Sequence, residues 1–353
     1  MAHLRDIAEQ AGVSICTVSK IINRAPGWQA YSAACIARVQ RVAAQLGYRR
    51  NYLAAALQTG RTDAIGMVLP QLGKRDMHNG FVTSLISGVE IAAREAGCHF
   101  VMTGPGADGD VIANSVRILD EGRVDGLIVP WFACRRAQLK ELERSSKPIV
   151  IIGDAARTTL PVVTIDHAAG ITHAMQHLHR LGHRCVWWCG TDGDNDVEHM
   201  RCSAFRAAAR RMGIATECLR VRIPAGQLIA DVIAAAQAAV AARCARPVRA
   251  TAVVCYNEAI ALGVYAGLRD SGRAVPRHMS VIGFDDIYAC IATPPMTVVS
   301  HMLDVMAVQA VRVLLRMRLS TAAWRRLRGH RTVITPELLV RGSTARPAAH
   351  PLP

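Results

Sequence analysis

The sequence predicts an α/β protein, in which a small, basic, all-helical head precedes a larger core of parallel sheets arranged as two lobes. Three features carry that prediction. Residues 1–62 repeat apolar side chains at helical spacing and hold Arg5, Lys20, Arg24, Arg38, Arg41, Arg49, Arg50 and Arg61 against only Asp6 and Glu9. From residue 63 onward, short apolar runs alternate with amphipathic helices, the pattern of strand–helix units in a parallel sheet. Residues 63–342 continue that pattern for longer than one such sheet usually needs, so two lobes are expected.

In the head, Leu4, Ile7, Ala8 and Ala11 lie on one helical face, and Gly12 ends the run. Ser14 is placed to cap a second helix whose apolar stripe is Val18, Ile21 and Ile22. Ser32 opens a third helix through Ile36, Val39, Val42, Ala43 and Leu46, closed by Gly47. Two short helices joined at Gly12–Val13 form a helix-turn-helix pattern. In the core, buried strands are expected at Ala64–Leu69, Cys98–Thr103, Gly126–Val129, Ile149–Ile152, Arg184–Cys189, Thr251–Val254 and Val281–Phe284. Helices are expected at Phe81–Ala96, Gly170–Leu181, Met200–Met212 and Asn257–Ser271.

Composition narrows the class. The 353 residues are 51% hydrophobic and 20% charged, a folding composition and not a disordered one. The opening MAHLRDIAEQ lacks an apolar signal core, and no long uncharged apolar stretch occurs, so a cytoplasmic protein without a membrane span is expected. Eleven cysteines are scattered without a CxxC pair, which fits reduced core thiols better than disulfides or a zinc ribbon. The net charge is +15, but Lys20, Lys74, Lys140 and Lys147 are the only lysines among 42 basic residues. Such compositional bias makes the location of the charge more informative than its total.

The head reads LRDIAEQAGVSICTVSKIIN and then LGYRRNYLAAALQTGRTDAIG; the core contains VDGLIVP, LGHRCVWWCG, CYNEAIALG, SVIGFDDI and PELLVRGST. With these motifs in this order, the chain resembles the lactose/galactose repressor (LacI/GalR) family of bacterial transcription regulators over essentially its whole length. The resemblance implies a helix-turn-helix domain at 1–50, a hinge helix and linker at 51–62, a two-lobed periplasmic-binding-protein-like core for effector binding and dimerisation at 63–342, and a tail at 343–353. It also implies a homodimer or tetramer, a palindromic operator, and a small effector such as a sugar or sugar acid. No catalytic residue, metal or cofactor is expected.

A helix-turn-helix lays the start of its second helix against base edges in the major groove. Here those residues are Ile15, Cys16 and, one turn later, Lys20, with Thr17 and Ser19 facing phosphates. Ile15 and Cys16 replace the polar pairs common in the family, which favours contact with thymine methyls. By resemblance, Ser14, Asn23 and Tyr48 complete the DNA-contacting set. So does a hinge helix at Asn51–Gln58, where Asn51, Ala54 and the wedge Leu57 meet the minor groove. Arg50 takes the place of the usual proline before that helix.

The same resemblance places effector contacts at Phe81, Trp131, Asp154, Arg201, Asn257 and Asp285. Arg201 could grip a carboxylate or vicinal hydroxyls with paired bonds, and the acids and amide suit sugar hydroxyls. Glu258 stands where the family usually has aspartate, and Ile223–Leu228 lacks an aromatic to stack on a sugar.

Other motifs are weaker. The GxGxxG string from Gly104 to Gly109 lies in a polar turn and does not open a helix at once. Asp192, Asp194 and Asp196 imitate the start of a calcium loop, but Val197 occupies its glycine position; they suit the acidic mouth of a cleft. His173, His177, His179 and His183 lack a completing ligand for zinc. Arg312–Arg346 is expected to be a solvated basic helix and tail. The competing functions are a solute-binding module of a transport system, which would need export in place of this head, and an α/β enzyme without a visible catalytic set.

Overall fold

The structure, a computed structural model, describes residues 2–23, 25, 27–48, 56, 60–69, 79–107, 109–154, 157–193, 195–223 and 228–348. The head is three helices, α1 (Leu4–Ala11), α2 (Ile15–Asn23) and α3 (Ala33–Gln45). Gly12 takes a φ of 62°, a left-handed turn that would strain any side chain, and lets α2 fold back across α1. Ser14 Oγ accepts the Thr17 N–H at 3.0 Å and Ser32 Oγ that of Cys35 at 3.3 Å, so both expected caps form. Ile7, Val18, Ile21 and Val39 close the head's core. Asn51, Ala54 and Leu57 of the expected hinge helix lie outside the described residues.

The core is two six-stranded sheets. The first contains β1 (Ala64–Val68), β2 (His99–Thr103), β3 (Gly126–Pro130), β4 (Ile149–Ile152), β5 (Val162–Ile165) and β11 (Arg331–Ile334). Its order is β11-β5-β4-β3-β1-β2, all parallel. The second contains β6 (Cys185–Thr191), β7 (Ala215–Val221), β8 (Ala252–Cys255), β9 (Ser280–Asp285), β10 (Thr297–Ser300) and β12 (Leu338–Leu339). Its order is β12-β10-β9-β8-β6-β7, with only β12 antiparallel. All seven expected strands occur within two residues of their expected bounds. Edge strands β7 and β11 expose alternate residues and carry Glu217, Arg220 and Arg331, so no continuous apolar run marks them.

The chain changes lobes after β5, after β10 and between β11 and β12. These three crossings are laced together: Asp166 N donates to Ile334 O at 2.9 Å, and Ser300 N to Glu337 O at 2.8 Å. Asp166 also caps the helix His167–Leu181 through Ala169 N at 2.8 Å. No helix among the described residues is long and apolar enough to cross a membrane. The eleven cysteines are free thiols, with Cys98, Cys189, Cys202 and Cys255 buried.

The expectation that Arg312–Arg346 is simply solvated is overturned, because several of its arginines fasten the core. At the end of the helix Leu303–Leu319, Arg318 donates to Asp125 Oδ2 at 2.6 Å and Asp63 Oδ1 at 3.2 Å. Asp125 also receives Thr62 N, Thr62 Oγ1 and Asp63 N, which pins the chain where it enters the first lobe. Arg341 pairs with Asp286 at 2.8 Å. Ser343 is fully buried and bonded to Val281 O and Thr297 N, and Ala345 N reaches Ser280 Oγ, so packed chain extends past residue 342.

Arg318→Ala should leave the buried Asp125 carboxylate with amide and hydroxyl donors alone and cost about 2–4 kcal/mol of stability. Urea unfolding followed by circular dichroism measures this; a midpoint equal to the parent's would show that the clamp contributes nothing.

Candidate functional site

A cavity of about 260 Å³ opens between the lobes. It lies at the C-terminal ends of β3, β4, β8 and β9, where parallel sheets place ligands. Phe81, Trp131 and Asp154 reach it from the first lobe, and Arg201, Asn257 and Asp285 from the second. The structure therefore brings all six expected effector residues to one cavity.

Their placement has local causes. Asn79 Oδ1 accepts the Phe81 and Val82 N–H groups, starting the helix Gly80–Glu95 with Phe81 in the wall. Trp131 follows β3 directly and lies over Gly153, where a Cβ would sit 1.7 Å from the indole. Asn257 caps the helix Glu258–Asp270 through Ile260 N at 3.0 Å. Asp285 takes a φ of 116°, strained for a residue with a side chain, and is held by His301: its carbonyl accepts His301 N at 3.2 Å and its Oδ1 meets His301 Nδ1 at 2.9 Å.

Two histidines that sequence reasoning missed organise the cavity floor. His167 Nε2 bonds Asp154 Oδ2 at 2.6 Å, while its Nδ1 accepts from Arg201 Nε at 3.1 Å. Burial and the nearby guanidinium pull the His167 pKa down to about 4, so the ring is neutral, with its proton on Nε2. Burial alone would raise the Asp154 carboxyl, but the bonds from His167 and Thr164 outweigh it and hold the group below its ordinary value. Arg201 is 3% exposed; its Nη1 donates to the Tyr256 carbonyl, and its Cζ lies over the Phe284 ring, 3.5 Å from the centroid. The ring of His301 meets that of Phe81 edge-on at 5.0 Å. Both histidines sit where the chain changes lobes, a position that one sequence does not reveal.

Glu258 is 2% exposed. Its Oε2 accepts Ile287 N and Tyr288 N, each at 2.8 Å, whereas Oε1 has no partner among the described residues. Burial pushes its pKa up to about 7 in spite of those two donors. Tyr288 in turn accepts the Gly80 N–H of the other lobe at 3.0 Å, and a Cβ at Gly80 would lie 2.3 Å from that hydroxyl.

On the head, Ile15 is 48% exposed and outside the core cluster, and Cys16 and Lys20 are exposed beside it. Ser14 and Thr17 share a hydroxyl hydrogen bond at 2.9 Å, and Ser19 Oγ accepts from Asn23 at 3.2 Å. Tyr48 packs half-buried against the head core.

Residues 3–51 match the bacterial regulatory proteins of the lacI family, and residues 175–344 match the periplasmic binding protein-like domain. Together the matches span more than half of the chain, in the order that the motifs imply. The chain belongs to the LacI/GalR family. It is 29% identical over 348 residues to the ribose operon repressor of Escherichia coli K12, covering 97% of this chain and 100% of that repressor. It is 29% identical over 353 residues to the regulator DegA of Bacillus subtilis 168, covering 96% and 97%. Among solved structures, the transcriptional regulator CelR with cellobiose aligns with a TM-score of 0.65 at 25% identity, covering 97% and 100%. The lac repressor dimer bound to operator and the anti-inducer ONPF shares the fold, with a TM-score of 0.76 at 20% identity over 98% and 99%.

As a LacI/GalR protein, the chain is a DNA-binding transcription regulator, and residues 3–51 have no place in a transport module. The weaker motifs resolve locally. His177 and His183 bind Thr344, Thr251 and Ala345 O, and no metal-like cluster occurs among the described residues. Asp110 caps the helix Val111–Asp120 after the glycine string, so a carboxylate already occupies the end that a phosphate would need. Asp192 pairs with Arg222, and Asp196 lines a neighbouring cavity; Asp108, Asp194 and residues 224–227 lie outside the described residues.

His167 and Glu258 oppose each other in pH dependence. A histidine depressed from 6.5 to about 4 stabilises the fold above pH 6.5 and loses that contribution as pH falls. A carboxyl raised from 4.5 to about 7 stabilises it below pH 4.5 and loses that contribution as pH rises through 7. Glu258→Gln removes the second effect. The variant's stability relative to the parent should therefore rise by on the order of 3 kcal/mol between pH 4.5 and 7. Urea unfolding at both pH values measures it, and parallel profiles would disprove the assignment.

Proposed function

We propose that this protein represses transcription in the cytoplasm by binding palindromic operator DNA as a homodimer or tetramer, and that a small carbohydrate-like effector between its lobes sets its operator affinity. The observation that carries this reading is a cavity lined by polar and aromatic side chains from both lobes, in a chain that also presents an exposed recognition helix. It acts by binding, without a catalytic step. The CelR structure holds cellobiose, a related regulator from Enterococcus faecium was solved with bound ribose, and the E. coli relative is named for the ribose operon. A sugar or sugar acid is the corresponding ligand here.

The head's Ile15 and Cys16 meet thymine methyls and Lys20 a guanine edge, while Ser14, Thr17, Ser19, Asn23 and Tyr48 set the register on the backbone. Asn51, Ala54 and Leu57 enter the minor groove between the paired heads. A ligand that favours one angle between the lobes shifts the population toward it, by no more than its difference in affinity for the two arrangements. Because Thr62 and Asp63 are clamped to the first lobe through Asp125 and Arg318, rotation of that lobe moves the point from which the head departs.

Operator selection from random DNA should return inverted half-sites, and binding should weaken steeply with salt as phosphate contacts release counterions. A single half-site bound as tightly as the full palindrome would refute the dimeric reading. Lys20→Ala should relax base preference at one position of each half-site, at about 1–3 kcal/mol. Unchanged selected sequences would place recognition elsewhere.

Titration of the operator complex with sugars tests the cavity. The parent should release or tighten on DNA, and Arg201→Ala should bind operator without responding. A full response in Arg201→Ala would remove the effector from this site.

A further inference from the structure

The cavity occupies one end of the first lobe, at the C-terminal ends of its strands. The opposite end is the base. All six strands of that sheet are parallel, so Ala64, His99, Gly126, Ile149, Val162 and Arg331 begin together there. The helices that lead into β2, β3 and β4 finish at the base, as does the long helix Leu303–Leu319. The short helix Thr321–Leu327 then runs into β11. The chain from the head arrives at the same end, because Thr62 and Asp63 are held by Asp125, one residue before β3.

Under β4, β5 and β11 the charge at the base is one-sided. Arg144 closes the helix Arg136–Arg144 and Lys147 follows it; Arg316 lies in the last turn of Leu303–Leu319, and Arg325 and Arg326 lie on Thr321–Leu327. The four arginines are exposed and Lys147 is half-buried. None of the five has a carboxylate partner among the described residues. Arg328 ties these segments together, donating to Glu143 O at 3.1 Å and to Thr159 Oγ1 at 2.8 Å. The acids of the base are mostly taken or lie toward the other edge of the sheet. Arg318 holds Asp63 and Asp125, and Arg117 and Arg123 hold Glu121. Glu95 and Asp120 end the helices that lead into β2 and β3. Only Glu141 and Glu143 fall on the basic side among the described residues, and Glu143 accepts from Thr158 and Thr159. A cation in the last turn of a helix offsets the helix dipole, by about 0.3–1 kcal/mol. That role explains one residue at a helix end, not five from three segments gathered at one end of a lobe.

We propose that the base of the first lobe is a second DNA-contacting surface, in which Arg144, Lys147, Arg316, Arg325 and Arg326 meet the phosphates of duplex beside the operator half-site. The head is tethered to this end, so a duplex held by the recognition helix is presented to the base. Exposed, flexible cations neutralise phosphates and release counterions, which adds affinity without reading sequence. The proposal rests on the reading of the chain as an operator-binding regulator and extends its footprint from the head to the core. A rotation of the first lobe then moves these cations relative to the DNA.

The experiment compares two duplexes by fluorescence anisotropy with the full-length protein. One is the palindrome recovered by operator selection, trimmed at its outer edges. The other carries about 15 base pairs, one and a half turns, of flanking duplex on each side. The parent should bind the longer duplex about tenfold tighter at low salt, with a log–log salt slope steeper by about 2–4 at roughly 0.9 per phosphate. The combined variant Arg144→Gln, Lys147→Gln, Arg325→Gln and Arg326→Gln should bind both duplexes alike. It should keep the parent's affinity for the trimmed one and the parent's unfolding midpoint in urea. Equal binding of the two duplexes by the parent overturns the proposal, as does a folded variant that keeps the preference. A loss shared by both duplexes also overturns it, because the effect then lies in the head or the fold. If the combined variant does not fold, Arg325→Gln with Arg326→Gln replaces it and should lose about threefold of the preference. A parent that binds neither duplex overturns the operator reading, and this proposal with it.

Discussion

Asp154 and Arg201 belong to different lobes, and both are buried. Their charges are connected through His167, which stands where the chain first crosses between the lobes. The bridge works because the imidazole is neutral: one nitrogen donates to the carboxylate and the other accepts from the guanidinium. A proton on both nitrogens would set two positive groups against each other where His167 is only 4% and Arg201 3% exposed. Charge-assisted bonds contribute about 1.5–3 kcal/mol each, and removing one partner would leave a buried charge uncompensated. The relative position of the lobes, the seating of Arg201 over Phe284 and the shape of the cavity floor all depend on this bridge.

The second crossing repeats the arrangement with a different purpose. His301 leaves β10, pairs with Asp285 and packs against Phe81 and Phe284, so a residue from the hinge touches the rings of both lobes. Close approach, more than hydrogen bonding, governs the rim. The Trp131 indole needs the bare Gly153 backbone, and Tyr288 needs that of Gly80. Polar groups on the floor and tight contacts at the rim together give a cavity whose dimensions are set by several rigid elements.

Seven strands were legible in the sequence because most central strands are buried on both faces and read as unbroken apolar runs, as at Ile149–Ile152. Val162–Ile165 and Thr297–Ser300, equally buried and central, were not, since hydroxyl side chains interrupt or bound their short apolar runs. The edge strand Ala215–Val221 was not, since half of its side chains meet water. The head was clear to the residue: Gly12, Ser14 and Ser32 mark its turn and caps through local chemistry that tertiary packing does not override. For the site, family resemblance reached Phe81, Trp131, Asp154, Arg201, Asn257 and Asp285, all of which line the cavity. It could not reach His167 or His301, whose importance comes from lobe crossings that join distant segments. Glu258 was visible only as a departure from aspartate; its function depends on where the N–H groups of Ile287 and Tyr288 fall, nearly thirty residues away.

The threefold crossing also dictates an order of events during synthesis. The first lobe begins at residue 64, yet its long helix Leu303–Leu319 and its edge strand Arg331–Ile334 emerge after every large strand of the second. While the ribosome is still making the second sheet, Asp125 has no Arg318, and β5 ends its sheet with an open edge. The nascent first lobe must wait with apolar surface uncovered, the condition under which growing chains aggregate or recruit chaperones. A product cut short before residue 303 would lack the closing pieces of both lobes. Truncation late in the gene therefore damages the domain that was translated early.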